Sequence, residues 1–106
     1  MEHRLATRFN VGLDVDIWRG NNELGCFRSK DISHGGIFIR DCAHSVSTGD
    51  FVYLRVKTEN NIDGDEYTLK AQVVHRTEEG AGFIWVCVNN GFHRELENLR
   101  AYDRLQ

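Results

Sequence analysis

Residues 11–28 read V-G-L-D-V-D-I-W-R-G-N-N-E-L-G-C-F-R, and this stretch decides the fold class. An apolar residue occupies every second position from Val11 to Ile17, which is the pattern of a half-buried β-strand. The sequence G-N-N at 20–22 is a turn signal, and a second strand is predicted at 24–28. The stretch therefore predicts a β-hairpin.

The same alternation predicts four further strands, separated by turn signals. They cover 36–39, 51–57, 67–76 and 83–88. From residue 90 the apolar residues recur at steps of three and four, which predicts an amphipathic helix over 90–105 with Asn90 as its N-cap. Six strands and one helix favour an all-β fold with a single helix. We expect a closed six-stranded antiparallel β-barrel, because closure leaves no unpaired strand edge.

The pattern also predicts which side chains face the core. One face of the fourth strand carries Val52, Leu54 and Val56, and one face of the fifth carries Tyr67, Leu69, Ala71 and Val73. The helix is predicted to pack against the barrel through Phe92, Leu96 and Leu99.

The length of 106 residues predicts one domain, with an N-terminal segment at 1–10, the barrel at 11–88 and the helix at 90–105. No apolar run approaches the ~20 residues of a membrane helix, and no apolar stretch of a signal peptide follows Met1. We therefore expect a cytoplasmic protein without membrane insertion. The three cysteines, an odd number with no C-x-x-C spacing, indicate free thiols.

The charge is unevenly distributed along the chain. The net charge is −3, which argues against binding to a nucleic-acid polymer. Residues 1–40 hold six Lys and Arg and five Asp and Glu, whereas residues 41–106 hold seven and eleven. A site for a small anion is therefore expected among the residues of the first part.

The first of two polar clusters is R-L-A-T-R at Arg4 to Arg8. A guanidinium is planar and permanently charged, and its five donors can grip a phosphate or the O6/N7 edge of guanine with two bonds. In an extended segment Arg4 and Arg8 would lie ~13 Å apart on one face, too far to share one phosphate. Either this segment turns around the ligand, or each arginine contacts a different part of it.

The second cluster is D-I-S-H-G-G at 31–36. The Asp31 carboxylate can accept two hydrogen bonds from the N1–H and exocyclic amine of guanine, a pair of donors that adenine does not present. The Ser33 hydroxyl can donate or accept. Gly35 and Gly36 allow positive φ and a close approach of the backbone to a ligand.

In this order, ahead of a barrel and a helix, the two clusters resemble the signature of the PilZ domain, a bacterial receptor module for cyclic di-GMP. That family carries R-x-x-x-R near its start and D/N-x-S-x-x-G after its second strand. The looser matches at 47–52, 73–76 and 82–85 extend the resemblance over nearly the whole chain. The resemblance implies a six-stranded barrel with a C-terminal helix. The ligand positions that it implies are Arg4, Arg8, Asp31, Ser33 and Gly36.

Two neighbours within the second motif, His34 and Gly35, are further candidate ligand contacts. His3 stands where many members that bind a stacked dimer of the nucleotide have a basic residue before the first arginine. Because histidine is mostly neutral at pH 7, one-to-one or weaker binding is expected. The implied function is a cyclic di-GMP receptor whose segment around Arg4 and Arg8 becomes ordered on binding and signals to a protein partner.

Two rival functions remain open. A PilZ-like barrel can serve as a protein adaptor that binds no nucleotide, in which case the motif residues would be structural. A small-barrel RNA or single-strand binder needs a basic groove with interleaved aromatic residues, which the acidic charge of 41–106 disfavours.

Neither an enzyme nor a metal site is predicted. The sequence shows no nucleophile–base pair, phosphate loop or H-E-x-x-H motif, so we expect a non-enzyme without a cofactor. Cys42 and His44 have metal-binding side chains but no second pair of ligands, and they are interpreted as a surface thiol and a surface imidazole.

Overall fold

The computed structural model describes residues 8, 10–57, 66–87, 91, 92, 94, 96 and 97, and it contains six β-strands. These strands are β1 (Asp14–Arg19), β2 (Asn22–Ile32), β3 (Gly36–Arg40), β4 (Phe51–Lys57), β5 (Glu66–Arg76) and β6 (Gly80–Cys87).

The strands form one closed barrel in the order β1-β2-β3-β6-β5-β4, and all neighbouring strands are antiparallel. The barrel closes because β1 pairs with β2 on one side and with β4 on the other. The β1–β2 hairpin turns at residues 20 and 21, where Gly20 has a φ of 62°. The predicted six-stranded antiparallel barrel is therefore confirmed.

The period-2 pattern places the predicted side chains in the core. On β4 the buried positions are Val52, Leu54 and Val56, while the residues between them are exposed or half-buried. On β5 Leu69, Ala71 and Val73 are buried, and Tyr67 is partly buried against the same cluster. Alternate residues of a strand point to opposite faces, so one face of each strand fills the barrel.

Two residues of the segment 91–97 pack into the core of the barrel. The described residues of this segment have helical backbone, and Phe92 and Leu96 are buried in the core cluster. The Phe92 ring packs edge-on against the rings of Tyr67 and Trp85, with centroids 5.5 and 5.1 Å apart. Asn90, Leu99 and most of the predicted helix over 90–105 lie outside the described residues, so that helix stays a prediction.

β1 begins at Asp14 rather than at Val11, and two strands are longer than predicted by two residues or more. β2 extends to Ile32 and therefore includes Asp31, and β6 begins at Gly80 rather than at residue 83. The G-A-G sequence at 80–82 precedes the predicted strand, but Gly80 already pairs with Arg40 of β3. A Cβ at Gly80 would lie 2.0 Å from the Ile39 carbonyl oxygen, so the close pairing requires glycine there.

The expectation of a surface thiol at Cys42 is wrong. Cys42 is fully buried in the core cluster, and its thiol donates to the Ile39 carbonyl at 3.4 Å. Cys26 is exposed, and both of these cysteines are free thiols as predicted. Within the described part of the chain, no helix is long and apolar enough to cross a membrane, and no group of three or more potential ligands is arranged to hold a metal ion.

Candidate ligand-binding site

A pocket of about 420 Å³ lies beside the loop that joins β2 to β3. Its lining includes five of the residues that the sequence predicted as ligand contacts, namely Arg8, Asp31, Ser33, Gly35 and Gly36. Arg8 belongs to the first polar cluster and the other four belong to the second, so the fold brings the two clusters together. Arg4 lies outside the described residues.

The link between the two clusters is an ion pair. The Arg8 Nε donates to the Asp31 Oδ1 at 2.8 Å, across 23 positions of the chain. The Asp31 side chain is 18% exposed and the Arg8 side chain 46% exposed, so the carboxylate is partly shielded and the guanidinium reaches into solvent. A carboxylate has two oxygens and about four lone-pair positions, so one Nε–H donor leaves acceptor capacity on Asp31.

Ser33 holds the loop in shape. Its hydroxyl is buried and accepts backbone N–H bonds from Gly35 at 3.1 Å and Gly36 at 3.2 Å. The Ser33 backbone N–H also donates to the Gly36 carbonyl at 2.8 Å. These contacts are the local turn bonds that serine makes with the backbone next to it, and they fix the position of the loop beside the pocket.

The two glycines of the loop have different surroundings. A Cβ at Gly36 would lie 2.1 Å from the Phe83 carbonyl oxygen, because β3 and β6 approach closely there, whereas a Cβ at Gly35 would have only the Ser33 hydroxyl nearby, at 3.8 Å. Neither glycine has a positive φ; in the described part of the chain, the glycines that do are Gly20, Gly25 and Gly49. The loop therefore does not use the positive φ that Gly35 and Gly36 allow, and the constraint at Gly36 is strand packing.

His34 is not among the residues that line the pocket. Its Nε2 lies 2.7 Å from a Glu97 carboxylate oxygen, so this side chain connects the loop to the segment 91–97.

The other side of the pocket was not predicted from the sequence. It is formed by β3, β5 and β6, through Phe38, Val74, His75, Gly82, Phe83 and Ile84. The Phe38 and His75 rings lie 5.9 Å apart at an interplanar angle of 36°. A single sequence gives no signal for this grouping, because it depends on which strands become neighbours and on their register.

A cluster of charges lies at the outer edge of Phe38. The Glu79 carboxylate pairs with Lys30 at 2.9 Å and with Arg40 at 3.1 Å. The hydrogen bond from Lys30 holds the pKa of Glu79 below its ordinary value. The Lys30 ammonium also lies over the Phe38 ring, 5.7 Å from its centre, so a positive charge is next to one of the rings that line the pocket.

Residues 2–102 match the family model described as the PilZ domain. The chain belongs to the PilZ domain family. This finding confirms the resemblance based on the two polar clusters.

The fold of this PilZ domain is similar to solved structures at low sequence identity. The structure of the Bacillus subtilis inhibitor of motility, MotI/DgrA, has a TM-score of 0.82 at 20% identity, covering 99% of this chain and 53% of that chain. The PilZ domain of CeSA from a cellulose-synthesizing bacterium has a TM-score of 0.62 at 22% identity, covering 90% and 93%. This PilZ domain thus spans about half of MotI/DgrA. No curated protein sequence matches the chain significantly.

Proposed function

We propose that this PilZ domain is a receptor for cyclic di-GMP in the bacterial cytoplasm and that it passes the signal to a protein partner. The family consists generally of cyclic di-GMP receptors rather than enzymes, and the chain belongs to it. The observation that carries the proposal is the 2.8 Å contact between Arg8 and Asp31 at the pocket. A guanine nucleotide needs a cationic donor for its phosphate and an acceptor for the N–H groups of its base. The guanidinium and the carboxylate, which lie side by side, offer both.

Each group of this ion pair has a separate task in the proposal. Arg8 uses its Nε for Asp31, so its two terminal amino groups can bind a phosphate or a guanine edge. Asp31 accepts the N1–H and the exocyclic amine of guanine, for which adenine has no equivalent pair. The backbone at Gly35 and Gly36, fixed by Ser33, forms the wall beside the base.

The proposed signal is ordering of the segment that carries Arg4 and Arg8. The two phosphates of the dinucleotide neutralise the guanidiniums, and the segment then folds over the end of the barrel. The combined surface of ligand and segment is what the protein partner binds. We expect a Kd in the micromolar range, which corresponds to a binding free energy of about −8 kcal/mol.

Calorimetric titration with cyclic di-GMP tests the proposal. Arg8→Ala and Asp31→Ala should each weaken binding by at least about tenfold, because each removes a charge-assisted contact. Arg19→Ala is the matched control: Arg19 pairs with Asp50 at 3.2 Å, is about as exposed as Arg8, and lies outside the pocket. No heat of binding to the wild type, or equal affinities for all three variants, would contradict the proposal.

A second candidate function is a protein adaptor that binds no nucleotide. It is favoured by the local roles of Ser33 and Gly36, which the loop and the β3–β6 packing already explain. Pull-down of the same partner with and without cyclic di-GMP separates the two candidates. The receptor requires capture that depends on the nucleotide, whereas the adaptor captures the partner equally in both conditions.

A further inference from the structure

We infer that the His75 ring, backed by Phe38, forms a stacking surface for the second base of the dinucleotide, at the opposite end of the pocket from Asp31. This inference rests on the proposed function, and it assigns a second subsite within the same pocket. The two polar clusters supply neither of these rings.

The barrel register places four outward positions in one row across four strands. Asp31 of β2 pairs with Phe38 of β3, Phe38 pairs with Gly82 of β6, and Gly82 pairs with His75 of β5. Neighbouring strands lie about 4.8 Å apart, so His75 is at most roughly 14 Å from Asp31 along this row. One end of the row is therefore charged and the other end is aromatic.

Gly82 makes the aromatic end possible. A Cβ at this position would lie 2.2 Å from the His75 Cε1, so the imidazole occupies the space that a side chain at 82 would fill. The missing side chain lets the Phe38 and His75 rings meet, at 5.9 Å between centroids. Phe38 is buried while His75 is exposed, so the imidazole is the ring that offers a face to a ligand.

Apolar side chains border the exposed imidazole. Val74 and Ile84 also line the pocket, and they are 41% and 44% exposed although both lie in strands. Val74 is the extra residue at the irregularity of the β5–β6 pairing between Val73 and His75, so His75 as well as Val74 lies on the outer face of the barrel. An aromatic ring flanked by aliphatic groups suits the flat face of a purine better than a phosphate or a ribose.

The number of bases on the ligand is the reason for a second subsite. Arg8 and Asp31 can satisfy the hydrogen-bonding edge of one guanine, and a cyclic dinucleotide carries two. Stacking on an aromatic side chain contributes to binding without hydrogen bonds to the base edge. The aromatic end of the row therefore complements the charged end.

The test is titration of the full chain with cyclic di-GMP, using variants at His75. His75→Ala should weaken binding by at least about fivefold, whereas His75→Phe, which keeps a ring, should stay within about threefold of the wild type. Gly82→Ala should weaken binding in the same direction, because its methyl group displaces the imidazole. His44→Ala is the matched control, since His44 is exposed and lies outside this pocket.

An NMR measurement gives a readout specific to stacking. In the complex the ring-proton resonances of His75 should shift upfield by the ring current of the base, and those of His44 should not. If the wild type binds and Arg8→Ala weakens binding, but His75→Ala binds like the wild type, the inference is wrong and the proposed function stands. If the wild type does not bind cyclic di-GMP, the proposed function fails and this inference fails with it.

Discussion

The indole N–H of Trp85 donates a hydrogen bond to the backbone carbonyl of Ser33 at 3.0 Å. Trp85 lies on β6 and Ser33 lies in the loop after β2, so this bond joins the loop beside the pocket to the adjacent strand. The same indole packs edge-on against Phe92. The position of the loop is therefore coupled to the packing of the segment 91–97.

Removal of this N–H should destabilise the protein. We expect Trp85→Phe to lower the free energy of unfolding by about 1–2 kcal/mol more than Trp18→Phe does, because only the first change removes a hydrogen bond. The Trp18 Nε1 is buried and has no hydrogen-bond partner among the described residues, which makes it the matched control. Urea unfolding followed by circular dichroism measures both. Equal losses in the two variants would contradict the role of the bond.

Ser33 should matter for stability as well as for binding. Ser33→Ala removes a buried hydroxyl that accepts two backbone N–H bonds, and we expect it to lower the free energy of unfolding by about 1–3 kcal/mol. Ser47→Ala, at an exposed position, should change it by less than about 0.5 kcal/mol. The same urea titration checks both variants. If Ser33→Ala leaves the free energy of unfolding unchanged, the loop keeps its shape without the hydroxyl.

Substitution by alanine should affect stability very differently at the two adjacent glycines of the loop. Gly36→Ala forces a methyl group against the Phe83 carbonyl oxygen and separates β3 from β6, so we expect a loss of more than about 2 kcal/mol or no folded protein. The methyl group of Gly35→Ala would meet only the Ser33 hydroxyl, at an ordinary contact distance of 3.8 Å, so this variant should stay within about 0.5 kcal/mol of the wild type. Thermal unfolding of both proteins tests the contrast, and similar melting temperatures would contradict it.

The buried thiol of Cys42 should make stability depend on alkaline pH. Burial raises the pKa of Cys42 from 9.0 to about 11. Above pH 9 the thiol ionises in the unfolded chain but stays protonated in the folded one, so its stabilising contribution is complete below pH 9. That contribution is lost as the pH rises to 11, by up to about 3 kcal/mol.

The measurement is urea unfolding between pH 8 and pH 10.5 for the wild type and Cys42→Ala. The variant is expected to be less stable at neutral pH, because it loses buried volume. The difference between the two proteins should shrink as the pH rises. Parallel pH profiles would show that the thiol does not contribute.

Much of the fold follows from local patterns. The alternation from Val11 to Ile17 and along 51–57 predicts the strands and their buried faces, because side chains on a strand alternate between core and solvent. The pairing of Gly80 with Arg40 could not be predicted, because it depends on a strand that is remote in sequence. The same holds for Cys42, which was interpreted as a surface thiol because no second pair of metal ligands accompanies it.

The sequence was sufficient to predict the order of the strands along the chain, the family, and the meeting of Arg8 and Asp31 in one candidate site. Those properties are encoded in periodicity and in short motifs. That Phe38, Gly82 and His75 line the other side of the same pocket follows only from the three-dimensional fold, because the barrel register sets which outward side chains become neighbours. The fold also explains why residue 36 is glycine. A Cβ there would clash with the Phe83 carbonyl oxygen, and this neighbour is known only from the packing of β3 against β6.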